Sequence, residues 1–293
     1  MTHPLARNFH DRYRRVAIML TVLGGLLVLA LGAGFVGALS GLGGGVFIVP
    51  GLVIVAHVPM YAAIGASLIS VVATSAGASV AFVRDGWTNL RVAMVLECAT
   101  VTGAVGGAFL AGRIPPWILE LLFALMMLQS AYFTLRKRDS ELLSESDSLC
   151  AWLKLDGEAP GDDGHPLHYG VHNLPGGGLL MLMAGTLSGL LGIGAGAVKV
   201  IAMDYVMHLP LKVSSATSNF MIGVTAGAGA LVFLSRGAIA GSIAAPVALG
   251  VTAGALFGSW VLPHANERAL RNMFAAILIL IALEMGWRAL SGI

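Results

Sequence analysis

The sequence predicts an all-α polytopic membrane protein with about eight transmembrane helices in two tandem repeats, each containing a glycine-broken half-helix. Three observations predict it. The chain is 57% hydrophobic and 11% charged, with a mean hydropathy of +0.86, too apolar for a soluble domain of 293 residues. It contains a series of uncharged stretches long enough to cross roughly 30 Å of hydrocarbon. Its two halves also align without a gap at a constant offset of 151 residues.

The expected spans are 16–39, 62–83, 92–111 and 117–135 in the first half and 178–197, 214–234, 240–262 and 270–290 in the second. No segment alternates as a barrel strand would. Two apolar stretches, 46–58 and 198–207, are too short for ordinary spans and read as half-helices or re-entrant segments. Residues 1–15 then form a basic segment, 16–135 the first membrane repeat, 136–175 an acidic polar linker and 176–293 the second repeat. Arg12, Arg14 and Arg15 before an apolar run resemble the start of a signal peptide, but membership of a repeat argues for a retained helix. Cys98 lies within a span and Cys150 in the linker, so no disulfide framework is implied.

The net charge of +2 hides an asymmetry, because residues 136–174 hold four basic and eight acidic side chains. That content suits a solvated, disordered tether. His165, His168 and His172 stand there beside Asp162 and Asp163, yet Pro166 interrupts the run and no metal is expected. Arg7, Arg12, Arg14 and Arg15 precede the first span, and Arg136, Lys137 and Arg138 follow the fourth; the positive-inside rule makes both clusters cytoplasmic, consistent with an inner cell membrane. Four spans per repeat then place Arg84, Arg91, Arg236 and Arg288 inside, with Arg113, Arg268 and Arg271 as exceptions outside. An odd number of crossings would instead make the repeats inverted, which leaves both arrangements open.

The repeat register is carried by specific residues. Gly34, Gly41, Gly43 and Gly45 fall on Gly185, Gly192, Gly194 and Gly196; His57 and Pro59 fall on His208 and Pro210; Ser67 on Ser218; Thr74 on Thr225; Gly103 and Gly107 on Gly254 and Gly258. Internal duplication with glycine-interrupted hydrophobic segments at matching positions is a recurring plan of secondary transporters, whose sites lie at the repeat interface. Ser40-Gly-Leu-Gly-Gly-Gly-Val-Phe-Ile-Val-Pro50 and Gly189-Leu-Leu-Gly-Ile-Gly-Ala-Gly196 resemble the paired signatures of the TauE/SafE sulfite-exporter family. The resemblance extends to Ala66-Ser67 and its partner Thr217-Ser218. It implies a membrane carrier for a small sulfur oxyanion or organosulfonate. The second copy departs from it in reading Gly-Ala-Gly, and in having Ile201 for Pro50 and Lys199 for Ile48.

Chemistry explains why these residues are candidates for a binding site. A helix broken inside the membrane exposes N–H groups that an anion can satisfy, and glycine lets the ligand approach the backbone closely. Gly43, Gly44 and Gly45, with Gly194 and Gly196, are therefore candidate substrate contacts, although small residues also permit tight helix crossing. Gly103, Gly106, Gly107, Gly254 and Gly258 read as packing glycines. Ser67, Thr217, Ser218 and Asn219 are polar candidates, against the alternative that hydroxyls bond their own helix carbonyls. Lys199, one turn past Gly196, is the candidate countercharge, unless it snorkels or pairs with Asp204. Glu97 and Asp204 are candidate proton carriers, with a structural hydrogen bond to a neighbouring helix as the alternative for Glu97; Glu284 and Arg288 read as an i, i+4 pair.

Neither metalloprotease nor serine-hydrolase motifs are present, and no phosphate-binding loop signals an ATP-driven pump, so the chain is not expected to be an enzyme. No cofactor and no nucleic acid are expected. The partners are a small anionic substrate and the bilayer, and a homo-oligomer is compatible with this. A passive anion channel is the competing class.

Overall fold

The computed structural model describes residues 23–37, 44–135, 146–160, 166–261 and 267–291. The first half contains α1 (Leu23–Gly37), α2 (Gly45–Pro50) continued by a π-helical turn (Gly51–Val55), α3 (Met60–Arg84), α4 (Leu90–Ala111) and α5 (Pro116–Leu135). Between the halves lie α6 (Ser148–Trp152), β1 (Gly157–Pro160) and β2 (Pro166–Tyr169). The second half contains α7 (Leu174–Leu191), α8 (Gly196–Ile201) with its own π-helical turn (Ala202–Val206), α9 (Leu211–Ser235), α10 (Gly241–Val261) and α11 (Glu267–Ser291). Each of these second-half elements starts 151 residues after its counterpart in the first half.

Seven of these helices are long and apolar enough to cross a bilayer. They match the expected spans closely except at 178–197, where α7 stops at Leu191 and Gly192 turns left-handed at φ 72°. The chain then doubles back. The amide of His172, just before α7, donates to the Met207 carbonyl at 3.1 Å, and Met207 covers Gly177 near the start of α7. In the first half, Gly51 packs against Leu29 and Gly44 lies near Gly34, so α1 and α2 are antiparallel as well. Each short apolar stretch is thus the returning limb of a hairpin. The π turn occurs in both copies, after Pro50 in one and Ile201 in the other, so proline is not its cause. Each limb ends at a histidine in the left-handed region, His57 (φ 51°) and His208 (φ 57°), ahead of Pro59 and Pro210.

A hairpin adds no crossing, so each half makes three crossings rather than the four expected. The halves are accordingly inverted: α3 and α9 run antiparallel, with Tyr61 stacked near Phe233 (ring centroids 4.7 Å) and the Ser75 hydroxyl on the Asn219 carbonyl (2.5 Å). This corrects the expected sidedness. Arg84, Arg91, Arg268 and Arg271 stand at helix ends on the face that carries residues 146–160 and 166–172, whereas Arg236, beside Phe109 and Gly112, lies on the opposite face with Arg113 and Arg288. Leu23 and Leu135 also fall on opposite faces. The two basic clusters beyond them, including Arg12 and Lys137, lie outside the described residues.

Two glycine seams join the halves. α4 packs parallel to α7, where a methyl at Gly103 or Gly107 would strike the carbonyls of Leu182 or Thr186, and one at Gly185 or Gly189 those of Thr100 or Ala104. The counterpart seam, α1 on α10, repeats this with Gly34 against Val251 and Gly254 against Leu31. Small residues here let backbones touch, which supplies the dispersion energy that association in lipid requires. Gly106, expected among the packing glycines, faces open space instead.

The linker is not simply a tether. Residues 146–160 and 166–172 fold into a cap, because Cys150, Leu155, Ala159, Tyr169 and Val171 form a buried cluster with the start of α4 and the end of the α8 limb. Asn89, which caps α4 by accepting from the Val92 amide, also donates to Leu155 O (2.8 Å) and Tyr169 Oη (3.0 Å). Burial holds the Tyr169 phenol above its ordinary pKa, so it stays neutral in this contact. His168 faces Glu158 at 3.3 Å and His172 faces Asp147 at 3.9 Å; His165 is outside the described residues.

Two outcomes follow from this architecture. Gly107→Ala should destabilise the detergent-solubilised protein by about 1–3 kcal/mol while Gly106→Ala leaves its melting temperature unchanged. With Cys98 and Cys150 replaced, cysteines at Gly86 and Trp152 should react with a membrane-impermeant maleimide from one side of the bilayer, and cysteines at Gly112 and Gly237 only from the other.

Candidate functional site

The two hairpin tips meet between α3 and α9. A Cβ at Gly45 would lie 3.0 Å from the Gly192 carbonyl and 2.5 Å from Val71, so the tip of one half touches that of the other only because Gly45 has no side chain. Gly192 and Gly194 both have φ 72°, and Ala195 follows at φ 48°, which makes the second tip a left-handed loop. The first tip differs: Gly44 is right-handed at φ −63°, and Gly43 lies outside the described residues.

Ser67 and Ser218 hold equivalent places. Ser67 Oγ donates to Gly192 O at 2.7 Å, with Gly45 O at 3.4 Å, and Ser218 Oγ donates to Gly196 O at 3.2 Å. Both are fully buried. Ser67 thereby gives a donor, across the two halves, to the Gly192 carbonyl at the end of α7, whereas Ser218 adds a second donor to a carbonyl at the start of its own half's α8.

Charge enters from one half only. Lys199, on the first turn of α8, is completely buried, and its Nζ donates to Thr225 Oγ1 on α9 at 2.5 Å. Thr225 Oγ1 in turn lies 2.6 Å from Glu97 Oε1 on α4 and 2.8 Å from the Met221 carbonyl. The other oxygen of Glu97 is buried without a partner. A buried ammonium is costly unless paired, and here the hydroxyl of Thr225 relays it to a carboxylate from the other half. The corresponding positions in the mirror-related half are Ile48, Thr74 and Ala248, and Thr74 bonds only its own helix carbonyls at Ser70 and Val71.

Of the residues singled out in the sequence, Gly45, Ser67, Gly194, Gly196, Lys199 and Ser218 cluster at the tips. Three do not. Thr217 accepts the Asn89 amide at 3.0 Å and pins the start of α4. Asn219 donates to Ser215 O at 3.0 Å within its own helix. Asp204 is buried on the π turn beyond Lys199, which pairs with Thr225 rather than with it. Glu284 is exposed and makes no ion pair with Arg288, whose charge acts on the buried Glu120 of α5 instead.

Sequence reasoning ranked Thr225 and Thr74 below the other hydroxyls, read Gly192 only as the repeat partner of Gly41, and passed over Ser188. The alignment of Thr225 with Thr74 pointed to both threonines, but nothing local separates a relay from a self-bonded hydroxyl. Ser188, one turn before Gly192, is buried with its hydroxyl unpartnered.

A family model described as "Sulfite exporter TauE/SafE" matches residues 26–285. The chain belongs to the TauE/SafE family. It is similar to the probable membrane transporter protein YunE of Bacillus subtilis (strain 168), at 26% identity over 89% of this chain and 94% of that protein. YdhB, a probable membrane transporter protein of the same organism, is 24% identical over 80% of this chain and 86% of its own length. The probable membrane transporter protein MamO of Paramagnetospirillum magneticum (strain ATCC 700264 / AMB-1) is 27% identical over 89% of this chain, which spans 44% of MamO. No solved structure matches the chain. With its apolar helices, this TauE/SafE protein is a multi-pass membrane transporter.

The tip contacts have a direct stability test. Ser67→Ala leaves the buried Gly192 carbonyl unpaired and should cost about 1–3 kcal/mol, read as a lowered melting temperature in detergent. Asn219→Ala, which removes only a bond within one helix, should cost less.

Proposed function

We propose that this TauE/SafE protein is a secondary carrier for a small anion of the sulfur-oxyanion or organosulfonate class. The observation that carries the reading is Lys199: a fully buried cation one turn from a glycine tip, where Gly45 of one half meets the Gly192 carbonyl of the other. Gly45, Gly194 and Gly196 would offer backbone close to the anion, Gly44 would extend the first tip, and Lys199 would supply the countercharge; Gly43, also a candidate contact, lies outside the described residues. Ser67 and Ser218 shape the site by holding its carbonyls away from the anion. Thr217 and Asn219 support the flanking helices.

Alternating access around this centre would follow from the two halves exchanging conformations about α3 and α9. The face bearing the cap is assigned to the cytoplasm of an inner membrane: among the described residues it holds Arg84, Arg91, Lys154, Lys212, Arg268 and Arg271, against Arg113, Arg236 and Arg288 opposite.

The test is flux into proteoliposomes with sulfite, thiosulfate, methanesulfonate and chloride. A carrier gives saturable flux in which one sulfur anion competes with the others; flux that neither saturates nor discriminates among them identifies a channel. Lys199→Ala should reach the membrane at wild-type levels and lose at least tenfold in saturable uptake. Unchanged uptake by that variant removes Lys199 from the site.

A further inference from the structure

The three-residue chain from Lys199 to Glu97 raises a question of charge balance. Lys199 and Glu97 are both buried, come from different halves, and meet only through Thr225. A substrate anion beside Lys199 would leave two negative charges and one positive among buried groups, which burial strongly disfavours. Either Glu97 must move away or it must lose its charge.

Geometry disfavours movement. Glu97 lies on α4, whose backbone is held against α7 by close contact at Gly103, Gly107, Gly185 and Gly189. Its second oxygen is buried without a hydrogen-bond partner, and the neighbouring Thr100 hydroxyl, a neutral group, is held by the carbonyls of Leu96 and Glu97. The groups around it give no alternative counter-ion. α7 carries no titratable side chain, α9 presents Thr225 and bears Lys212 only at its first turn, and α8 presents Lys199. Asp204 and Tyr205 follow on the π turn, and α4 itself adds Arg91 at its start and Cys98 on its exposed side.

Hydrogen bookkeeping shows that loss of charge needs no rearrangement. Thr225 Oγ1 has one proton and two lone pairs but three neighbours: Lys199 Nζ, Glu97 Oε1 and Met221 O. With Glu97 ionised, Thr225 accepts from Lys199 and donates to Glu97. With Glu97 protonated, Glu97 donates to Thr225, Thr225 accepts from Lys199 as well, and its own O–H donates to the Met221 carbonyl at 2.8 Å. The same heavy-atom positions serve both states, and in the second Lys199 faces no carboxylate.

Resting on the anion-carrier reading above, we infer that Glu97 is a resident counter-anion that takes up one proton from water whenever a substrate anion engages Lys199, so that anion and proton travel together. The empty site holds Lys199⁺ and Glu97⁻; the loaded site holds Lys199⁺, the anion and neutral Glu97. For a monovalent anion the carried charge is zero in both cases. The proton returns to water on the side where the anion leaves. Ala248 and Ile48 in the mirror-related half offer no second such pair, so the stoichiometry is one proton per cycle.

The experiment uses full-length protein in proteoliposomes with the potential clamped to zero by valinomycin and equal potassium, and an exterior one pH unit more acid than the lumen. The probes are methanesulfonate and thiosulfate, neither of which binds protons near neutral pH. Wild type should accumulate the transported anion about tenfold at steady state, the ratio one coupled proton yields per pH unit, or about 1.4 kcal/mol. Glu97→Gln should accumulate none beyond equality. Saturable wild-type flux without accumulation overturns the inference and leaves the carrier reading standing. Tenfold accumulation by Glu97→Gln overturns the assignment to Glu97. Absence of saturable flux for every sulfur anion in the wild type overturns the carrier reading itself. Should Glu97→Gln not transport, infrared difference spectra decide. Anion addition must raise a carboxylic acid C=O band in wild type that Glu97→Gln lacks, and its absence in wild type refutes the inference.

Discussion

The hydrogen bond from Ser67, within α3, to the Gly192 carbonyl secures the end of α7, a helix that stops among apolar neighbours and turns back. Lipid offers no partner to a terminal carbonyl, so a chain that breaks a helix there must bring a donor from elsewhere in the molecule. Here the donor sits on α3 of one half and the acceptor at the tip of the other. Helix α3 must then lie beside α9, the tips must meet between them, and Gly45 must stay bare for the approach to be possible. The glycine seams along α4 and α7, and along α1 and α10, hold the outer limbs of the hairpins against the opposite half, so that the tips have a fixed place to arrive.

Most of the helices were legible from hydropathy, since apolar length is a direct consequence of bilayer thickness. The offset of 151 residues likewise located the counterpart of each first-half element. What hydropathy could not distinguish was a helix that crosses from one that stops and turns back. α7 is as apolar as a span, and only the left-handed Gly192 and the return of Met207 to the neighbourhood of His172 reveal the hairpin. That single ambiguity propagated: it changed the parity of crossings, and with it the side assigned to Arg236, Arg268 and Arg271. The cap was missed for a different reason. Its apolar residues, Cys150, Leu155, Tyr169 and Val171, are scattered among acidic ones, and their burial depends on the start of α4 and the end of the α8 limb, far away in sequence.

Legibility of the candidate site was uneven in an informative way. Glycines and the serine pair at matching positions were visible because duplication doubles the signal. Lys199 and Glu97 were visible because charge within a span is expensive. Their connection was not, since it runs through Thr225, whose spacing to either residue carries no pattern and whose counterpart Thr74 makes an ordinary bond to its own helix. Thr217 and Asn219 show the converse. Polar residues at the right distance from the glycines serve the start of α4 and the interior of α9.

The unequal chemistry of the two halves has a thermodynamic consequence. Two identical halves related by an in-plane axis would have two global arrangements, each the image of the other with the halves' roles exchanged, and symmetry would oblige those arrangements to have equal energy. Lys199 and Glu97 have no images, because Ile48 and Ala248 stand where a second pair would be. In a carrier whose halves exchange roles as proposed, that degeneracy would be lifted, and the buried charge pair is one of the differences between the halves that would give the empty molecule a preferred resting side.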